Sequence, residues 1–178
     1  GYIGLPTAAI IASKNITTFG VDICETTVAT INQGKAHIVE PDLDKYVKDA
    51  VNKKHLTASM KVQQSDIFII AVPTPFKENK TADISYIKAA VNSIAPVLRA
   101  GNLIILESTS PVGTTEKISH WLAEKRLDLK MPHNYSSNAD IFITYCPERV
   151  LPGKIIHELT YNDRTIGGIS KICTQTSY

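Results

Sequence analysis

The sequence predicts an α/β fold, a Rossmann-type doubly wound parallel sheet that lacks its first strand. Helical and strand-like segments alternate along the 178 residues with short connections, as in a parallel sheet covered by helices on both faces. Gly1-Tyr2-Ile3-Gly4 leads into an apolar stretch and matches the last two glycines of a G-x-G-x-x-G loop. Asp22 ends a strand-like run about 20 residues later, the spacing of a dinucleotide-binding βαβ unit. The first glycine and its strand would precede residue 1, so we expect a fragment.

The first part of the chain is predicted to hold three helices and two strands. They are a helix over about residues 5–13, a strand over 17–23, helices over 25–32 and 41–53, and a short strand over 57–59. Gly34 is a natural end for the second helix, because glycine readily adopts the left-handed conformation that follows many helices. Acidic residues near the start of the third helix and lysines near its end agree with the helix dipole.

The remainder of the chain continues this alternation. Residues 66–72 are a continuous apolar run, broken by Pro73 and Pro75, and are predicted to form a buried parallel strand. The next elements are a helix over residues 84–98, a strand over 102–106, a helix over 113–125 and a strand over 141–145. Residues 132–138 are expected to be a surface loop, 164–169 a short strand and 170–178 a polar tail.

Composition limits the classes of function that the chain can have. A hydrophobic content of 43% allows a sizeable core, and a net charge of +2 gives no general attraction to nucleic acid or membrane. No apolar run approaches the 18 or so residues that cross a bilayer. Cys24, Cys146 and Cys173 lack zinc-ligand spacing, so we expect no metal and reduced thiols in a cytoplasmic protein. The expected partner is a small molecule.

The glycine segment and Asp22 predict a NAD site. Gly1 would admit a phosphate, and Gly4 would let the following helix pack closely on the sheet. The N–H groups of Tyr2 and Ile3 would face the pyrophosphate at the positive end of the helix dipole. Asp22 would accept both ribose hydroxyls and repel a 2′-phosphate, which favours NAD over NADP. The alternative is a Gly-x-x-Gly turn that merely caps a helix.

Ligands of such sheets bind at the carboxyl ends of the strands, and hydroxyl side chains are frequent there in this sequence. Thr74, between two prolines, would offer its hydroxyl to the cofactor, although a simple strand-ending loop explains it equally well. Among residues 107–115, helix capping explains one hydroxyl, that of Thr114, but not the others. Thr115 would face the nicotinamide side of the cofactor, and Thr109 would orient a water or a substrate oxygen.

A charged pair, Glu148 and Arg149, follows the next predicted strand end. Glu148 would act as a general base or acid if partly desolvated, and Arg149 would hold a phosphate or a carboxylate. An exposed ion pair of little energetic value is the alternative. Cys146 is rejected as a nucleophile, because no histidine is adjacent in sequence and a cysteine at a buried strand end is usually only packed.

Four segments together resemble the NAD-dependent nucleotide-sugar dehydrogenases, and the resemblance extends across nearly the whole chain. They are Ile38-Val39-Glu40-Pro41-Asp42-Leu43, Val72-Pro73-Thr74-Pro75-Phe76-Lys77, Leu106-Glu107-Ser108-Thr109-Ser110-Pro111-Val112-Gly113 and Tyr145-Cys146-Pro147-Glu148-Arg149-Val150-Leu151-Pro152-Gly153. Cys-Pro-Glu-Arg replaces the Asn-Pro-Glu-Phe typical of UDP-glucose dehydrogenases. Within the family, this form is most similar to the members that oxidise UDP-N-acetyl-D-mannosamine.

The resemblance implies oxidation of a sugar C6 alcohol to a carboxylate, with a UDP-sugar as substrate and two NAD as oxidants. A cysteine captures the aldehyde, a second hydride transfer gives a thioester, and water releases the acid. Glu148 would assist thioester hydrolysis with Thr109 nearby, while Arg149 and Val150 would contact the nucleotide-sugar. By position, the NAD contacts would be Tyr2, Ile3, Asp22, Thr74 and Thr115.

The same resemblance implies that residues 1–178 form one NAD-binding Rossmann domain of a longer, homodimeric enzyme. The family's nucleophilic cysteine belongs to a Gly-rich segment of a later domain and has no counterpart here, so we expect the chain to be inactive alone. The missing first strand would leave two strand edges unpaired, which predicts an unstable fragment. The alternatives are another UDP-sugar dehydrogenase such as UDP-glucose 6-dehydrogenase, a remnant that only binds nucleotide, and a hydroxyacid dehydrogenase, which does not explain residues 148 and 149.

Overall fold

A computed structural model describes residues 1–178, and residue contacts divide them into two compact units. Unit 1 comprises Gly1–Gln63 and Arg149–Asp163, and unit 2 comprises Gln64–Glu148 and Arg164–Tyr178. In chain order the elements are α1 (Gly4–Ser13), β1 (Thr18–Val21), α2 (Glu25–Asn32), α3 (Leu43–Asn52), β2 (Leu56–Ser59), β3 (Ile67–Ile70), α4 (Ser85–Ile94), a 3-10 turn (Ala95–Val97), β4 (Leu103–Leu106), α5 (Thr114–Ala123), β5 (Phe142–Tyr145), α6 (Ile155–Tyr161), β6 (Gly167–Gly168) and α7 (Lys171–Thr176). None of the helices combines the length and apolar character needed to span a membrane.

Unit 1 is built on a two-stranded parallel sheet. Strand β1 pairs with β2 from Thr18 opposite Leu56 to Val21 opposite Ser59. Helices α1 and α3 supply much of the core, and most of their buried apolar residues recur every three or four positions. The buried cluster is Leu5, Ala9, Ala12, Ile31, Leu43, Val47, Ala50, Leu56 and Ala58.

A buried carboxylate attaches the second segment of unit 1 to the first. The side chain of Glu40 accepts hydrogen bonds from the N–H of Gly153 at 2.9 Å and from the N–H of Ile155 at 2.7 Å. Ile155 is the first residue of α6, so a negative charge lies at the positive end of that helix. Residues more than a hundred positions apart are therefore joined by one side chain.

Unit 2 is built on a four-stranded sheet with the order β3-β4-β5-β6. The first three strands are parallel, with Ile67 opposite Leu103 and Leu103 opposite Phe142. Strand β6 is antiparallel to β5 and pairs Gly167 with Tyr145. Helices α4 and α5 each present a buried apolar stripe, as the spacing of their apolar residues predicts.

The strand pairing confirms the predicted fold class. In the doubly wound order 3-2-1-4-5-6, omission of strand 1 leaves a 3-2 pair and a 4-5-6 group. The structure has these two sets, β2-β1 in unit 1 and β3-β4-β5 in unit 2. As a result, β1 and β3 each have only one partner strand.

Two sequence-based expectations need correction. Residues 66–72 do not form a strand buried on both faces, because Ile67 and Ile69 are 53% and 37% exposed while Phe68 and Ile70 are buried. Helix α4 contacts β3, and within unit 2 the opposite face of β3 remains open. The polar tail is also not irregular, since it contains α7, whose first turn is capped by the hydroxyl of Ser170 accepting from the N–H of Cys173.

Candidate functional site

The glycine segment and Asp22 lie together in unit 1. Helix α1 begins at Gly4, so the N–H groups of Tyr2, Ile3 and Gly4 have no acceptor within the helix. The nitrogen of Gly1 lies 4.0 Å from Oδ2 of Asp22, at the carboxyl end of β1. The structure therefore brings unpaired helix donors and a carboxylate close to one another.

These residues fit the adenosine and pyrophosphate parts of NAD. A Cβ atom added to Gly1 would meet no atom within 4 Å, which leaves open space beside the first turn of the helix. Asp22 is 28% exposed, and its Oδ1 accepts a hydrogen bond from the N–H of Cys24 at 2.9 Å. The carboxylate is thus held in one orientation while part of it stays accessible to a ribose diol.

In unit 2, two hydrogen-bonded loops follow β3 and β4. The hydroxyl of Thr74 donates to the carbonyl oxygen of Thr109 at 2.7 Å. The buried hydroxyl of Ser108 donates to the carbonyl oxygen of Val72 at 2.7 Å and accepts from the N–H of Val72 at 2.8 Å. Thr74 and Thr109 are therefore neighbours at the carboxyl ends of β3 and β4. Ser108, which the sequence did not single out, joins the segments that follow these two strands.

One hydroxyl group at the start of α5 has a different role from the one expected. Gly113 precedes the helix with a φ of 85°, a conformation that favours glycine. The Thr114 hydroxyl donates to the carbonyl oxygen of Pro111 at 2.6 Å and does not cap the helix, so that part of the prediction is wrong. Thr115 lies in the first helical turn and its hydroxyl donates to Glu116 at 3.1 Å.

Glu148 is buried beyond the end of β5, with its side chain 5% exposed. Its carboxylate forms an ion pair with Arg164, which also donates to Glu107 at 2.9 Å. The alternative of an exposed Glu148–Arg149 pair therefore does not describe Glu148. Arg149 and Val150 belong to unit 1, where Arg149 is exposed and Val150 is partly buried.

Arg164 is the residue of this region that the sequence did not indicate. It lies in a polar stretch without a motif, and only the pairing of β6 with β5 brings it to the end of β5. Burial alone would lower its pKa, but hydrogen bonds to Glu107 and Cys146 and the charge of Glu148 raise the pKa above its ordinary value. Cys146 is buried, in agreement with a packed cysteine.

Comparison with protein families gives a match over residues 1–177 to the NAD binding domain of the UDP-glucose/GDP-mannose dehydrogenase family. A UDP-N-acetyl-D-mannosamine dehydrogenase from Campylobacter jejuni is 56% identical over 98% of this chain and 43% of its own length. An NDP-N-acetyl-D-galactosaminuronic acid dehydrogenase from Ralstonia nicotianae is 53% identical over 99% of this chain and 42% of its own length.

Solved structures show the same similarity. The UDP-N-acetyl-mannosamine dehydrogenase of Staphylococcus aureus superposes with a TM-score of 0.91 at 38% identity, and the match covers 99% of this chain and 42% of that one. The corresponding dehydrogenase of Pyrococcus horikoshii has the same TM-score and identity, with 99% and 41% covered. The chain thus spans about two fifths of the length of the relatives it matches.

Proposed function

Because the chain belongs to the UDP-glucose/GDP-mannose dehydrogenase family, we propose that it is the NAD-binding part of a UDP-sugar 6-dehydrogenase. The observation that carries the proposal is the family match over residues 1–177. The overall reaction removes four electrons from the sugar C6 carbon, reduces two NAD and consumes one water. A hydroxyacid dehydrogenase has no support in this family, whose description names nucleotide-sugars.

Unit 1 supplies the groups for the adenosine end of NAD in this proposal. The N–H groups of Tyr2 and Ile3, with Gly1 and Gly4 beside them, bind the pyrophosphate, and Asp22 binds the ribose diol. This assignment is supported by the short distance between Gly1 and Asp22 and by the free first turn of α1. When bound, NAD supplies the hydride acceptor.

A second set of residues is assigned to the reacting carbon and to the nucleotide-sugar. Thr74 and Thr115 contact the cofactor, Thr109 orients a water, and Glu148 takes a proton during release of the product. The hydrogen bond between the Thr74 hydroxyl and the Thr109 carbonyl oxygen supports the placement of both threonines in the same site. Burial of Glu148 at a strand end supports a general base that is shielded from bulk solvent. Arg149 and Val150 contact the nucleotide-sugar.

The proposed sugar is N-acetyl-D-mannosamine, carried on UDP and oxidised to the uronic acid. The 56% identity to the Campylobacter enzyme of that name supports it. The 53% identity to the Ralstonia enzyme makes an N-acetyl-D-galactosamine derivative the second candidate. The test is NADH formation by the full-length enzyme with UDP-N-acetylmannosamine, UDP-N-acetylgalactosamine and UDP-glucose. Fastest turnover of UDP-glucose would contradict both candidates, and two NADH should form per sugar oxidised.

Substitution of Asp22 tests the cofactor assignment separately from the sugar. In Asp22→Asn we expect NAD to bind about ten- to a hundredfold more weakly, because a charge-assisted hydrogen bond contributes roughly 1.5–3 kcal/mol. The ratio of the affinities for NAD and NADP should become smaller, because asparagine does not repel the 2′-phosphate of NADP. Asp49→Asn, on the exposed face of α3, is the matched control and should leave both affinities unchanged. Unaltered NAD binding in Asp22→Asn would remove Asp22 from the site.

We further propose a cytoplasmic, homodimeric enzyme. Three free cysteines support a reducing compartment. The dimer rests on the family resemblance alone, and the mass of the full-length enzyme by light scattering tests it.

A further inference from the structure

Two buried carboxylates and a partly exposed arginine form a charged cluster at the carboxyl ends of β4 and β5. Glu107 directly follows β4 and its side chain is 2% exposed, while Glu148 lies three residues beyond β5 and is 5% exposed. Arg164 is 29% exposed and reaches both carboxylates. Its Nη2 donates to Oε1 of Glu107 at 2.9 Å, and its Nη1 forms the ion pair with Oε2 of Glu148.

The antiparallel direction of β6 explains how Arg164 reaches this edge. Gly167, the first residue of β6, pairs with Tyr145, the last residue of β5. A segment that precedes an antiparallel neighbour therefore arrives at the carboxyl end of β5, whereas the segment before a parallel strand would arrive at the opposite edge. The one antiparallel pairing of this sheet thus brings a cation to the edge where ligands of α/β sheets bind.

The electrostatics of the cluster depend on this guanidinium. Two carboxylates at the ends of neighbouring strands repel each other, and neither is well solvated. Arginine contacts one carboxylate with each terminal nitrogen, and its planar group stays protonated throughout the usual pH range. The guanidinium therefore fixes the side chain of Glu148 through one nitrogen while Glu107 anchors it through the other.

We propose that Arg164 is the positioning residue for Glu148 in the hydrolytic step of the proposed dehydrogenase. This inference rests on the proposed function. In that step the water oxygen bonds to the thioester carbonyl carbon, one water proton passes to Glu148, and the C–S bond breaks with its electron pair remaining on the cysteine sulfur. Arg164 touches neither the water nor the substrate, and it acts by holding the accepting oxygen of Glu148 in place.

The test uses the full-length enzyme with Arg164→Met, which preserves length and removes both nitrogens. We expect kcat to fall at least tenfold and the KM for NAD to fall with it, so that kcat/KM changes little, because hydride transfer precedes the affected step. Rapid mixing should show a burst that approaches two NADH per active site, followed by slow turnover. Mass spectrometry of the quenched variant should show the acylated enzyme. A purely structural defect would reduce the burst and the steady rate together and leave no adduct.

Two further variants keep the test decisive. Arg164→Lys preserves the positive charge if Arg164→Met fails to fold, and its single nitrogen cannot reproduce the two contacts, so the burst and the adduct should persist. Arg99→Met removes an exposed arginine that pairs with Asp66 on the surface, and it should turn over like the wild type. The inference would be overturned if Arg164→Lys and Arg164→Met both kept a near-normal kcat. It would also be overturned if kcat fell but neither the burst nor the acylated enzyme were seen. Either result would leave the proposed dehydrogenase function unaffected. No NAD reduction by the wild type with any UDP-sugar would overturn the function and the inference with it.

Discussion

At the scale of single residues, Cys24 differs from the other two cysteines in exposure. Its thiol lies just before α2, with Sγ 3.0 Å from the hydroxyl oxygen of Thr26. Cys24 is exposed, whereas Cys146 and Cys173 are buried. Hydrogen bonds from the side chains of Thr26 and Thr27 lower the pKa of Cys24 to about 7. Because the thiolate is the reactive form, Cys24 should be the nucleophilic thiol of this chain at neutral pH.

We expect Cys24 to be alkylated by iodoacetamide with a rate that rises through pH 7 and levels off above pH 8. A lowered pKa means that the thiolate is already abundant at neutral pH, which is where the rate should reach half of its plateau. Mass spectrometry of peptides after short exposures measures the rate. Thr26→Val should move the half-point to higher pH, and Cys24→Ser should abolish the fast labelling. A half-point near pH 9 in the wild type would contradict the prediction.

The residues of the candidate site divide into those that local sequence can indicate and those that it cannot. Asp22, Thr74 and Glu148 follow strands that apolar runs predict, so their position at a carboxyl edge could be expected. Arg164 and Ser108 act through contacts with residues 57 and 36 positions away, respectively. No short-range pattern encodes such pairings. The sequence offers only the neighbouring Arg149 as a partner for Glu148, as the alternative of an exposed ion pair.

At the scale of elements, the close approach of β6 to α7 depends on one glycine. A Cβ atom on Gly168 would lie 2.7 Å from Cβ of Cys173 and closer still to the backbone nitrogen of Thr174. Gly168 also donates its N–H to the Thr174 hydroxyl at 3.0 Å. The backbone of Thr174 and the buried side chain of Cys173 cannot shift without disturbing their own packing, so position 168 has no room for a side chain.

We expect Gly168→Ala to lower the thermal midpoint of the full-length enzyme, because overpacking of this kind costs about 1–3 kcal/mol. The neighbouring Gly167 is the matched control, since a Cβ there meets nothing within 4 Å. Gly167→Ala should therefore melt close to the wild type. Circular dichroism at rising temperature measures both. Equal midpoints for the two variants would show that α7 does not lie against β6 as described.

Elements with a clear apolar period could be predicted, and those held by distant partners could not. Helices α3, α4 and α5 follow from their buried stripes, with ends displaced by a few residues. Helix α6 has only seven residues, and the acceptor for its first N–H is Glu40, so its stability is not encoded locally. Ile67 and Ile69 of β3 are exposed although they belong to an apolar run. An apolar run therefore predicts a strand, but the elements packed against that strand determine which of its faces is buried.

At the scale of the whole molecule, the sheet edges are the weak feature of the 178-residue chain. Strands β1 and β3 each pair on one side only, and exposed apolar residues on them include Phe19, Val21, Ile67 and Ile69. Unpaired N–H and C=O groups along such strands favour association with other chains. These two features therefore predict that the 178-residue chain aggregates.

We expect the purified chain of residues 1–178 to melt without a cooperative transition and to scatter light as it is concentrated. The full-length enzyme is the comparison and should melt cooperatively under the same conditions. Circular dichroism and static light scattering measure the two properties. A sharp, reversible melt of the monomeric 178-residue chain would show that the edges are tolerated.

The carboxylate of Glu40 also has a consequence for the order of events on the ribosome. Its two donors, the N–H groups of Gly153 and Ile155, are translated more than a hundred residues after it, and the whole of residues 64–148 is made in between. Helix α6, which contacts α1, emerges equally late. Unit 1 is therefore completed only after residues 64–148 of unit 2 have been made, and we expect its first segment to stay incompletely packed during that interval.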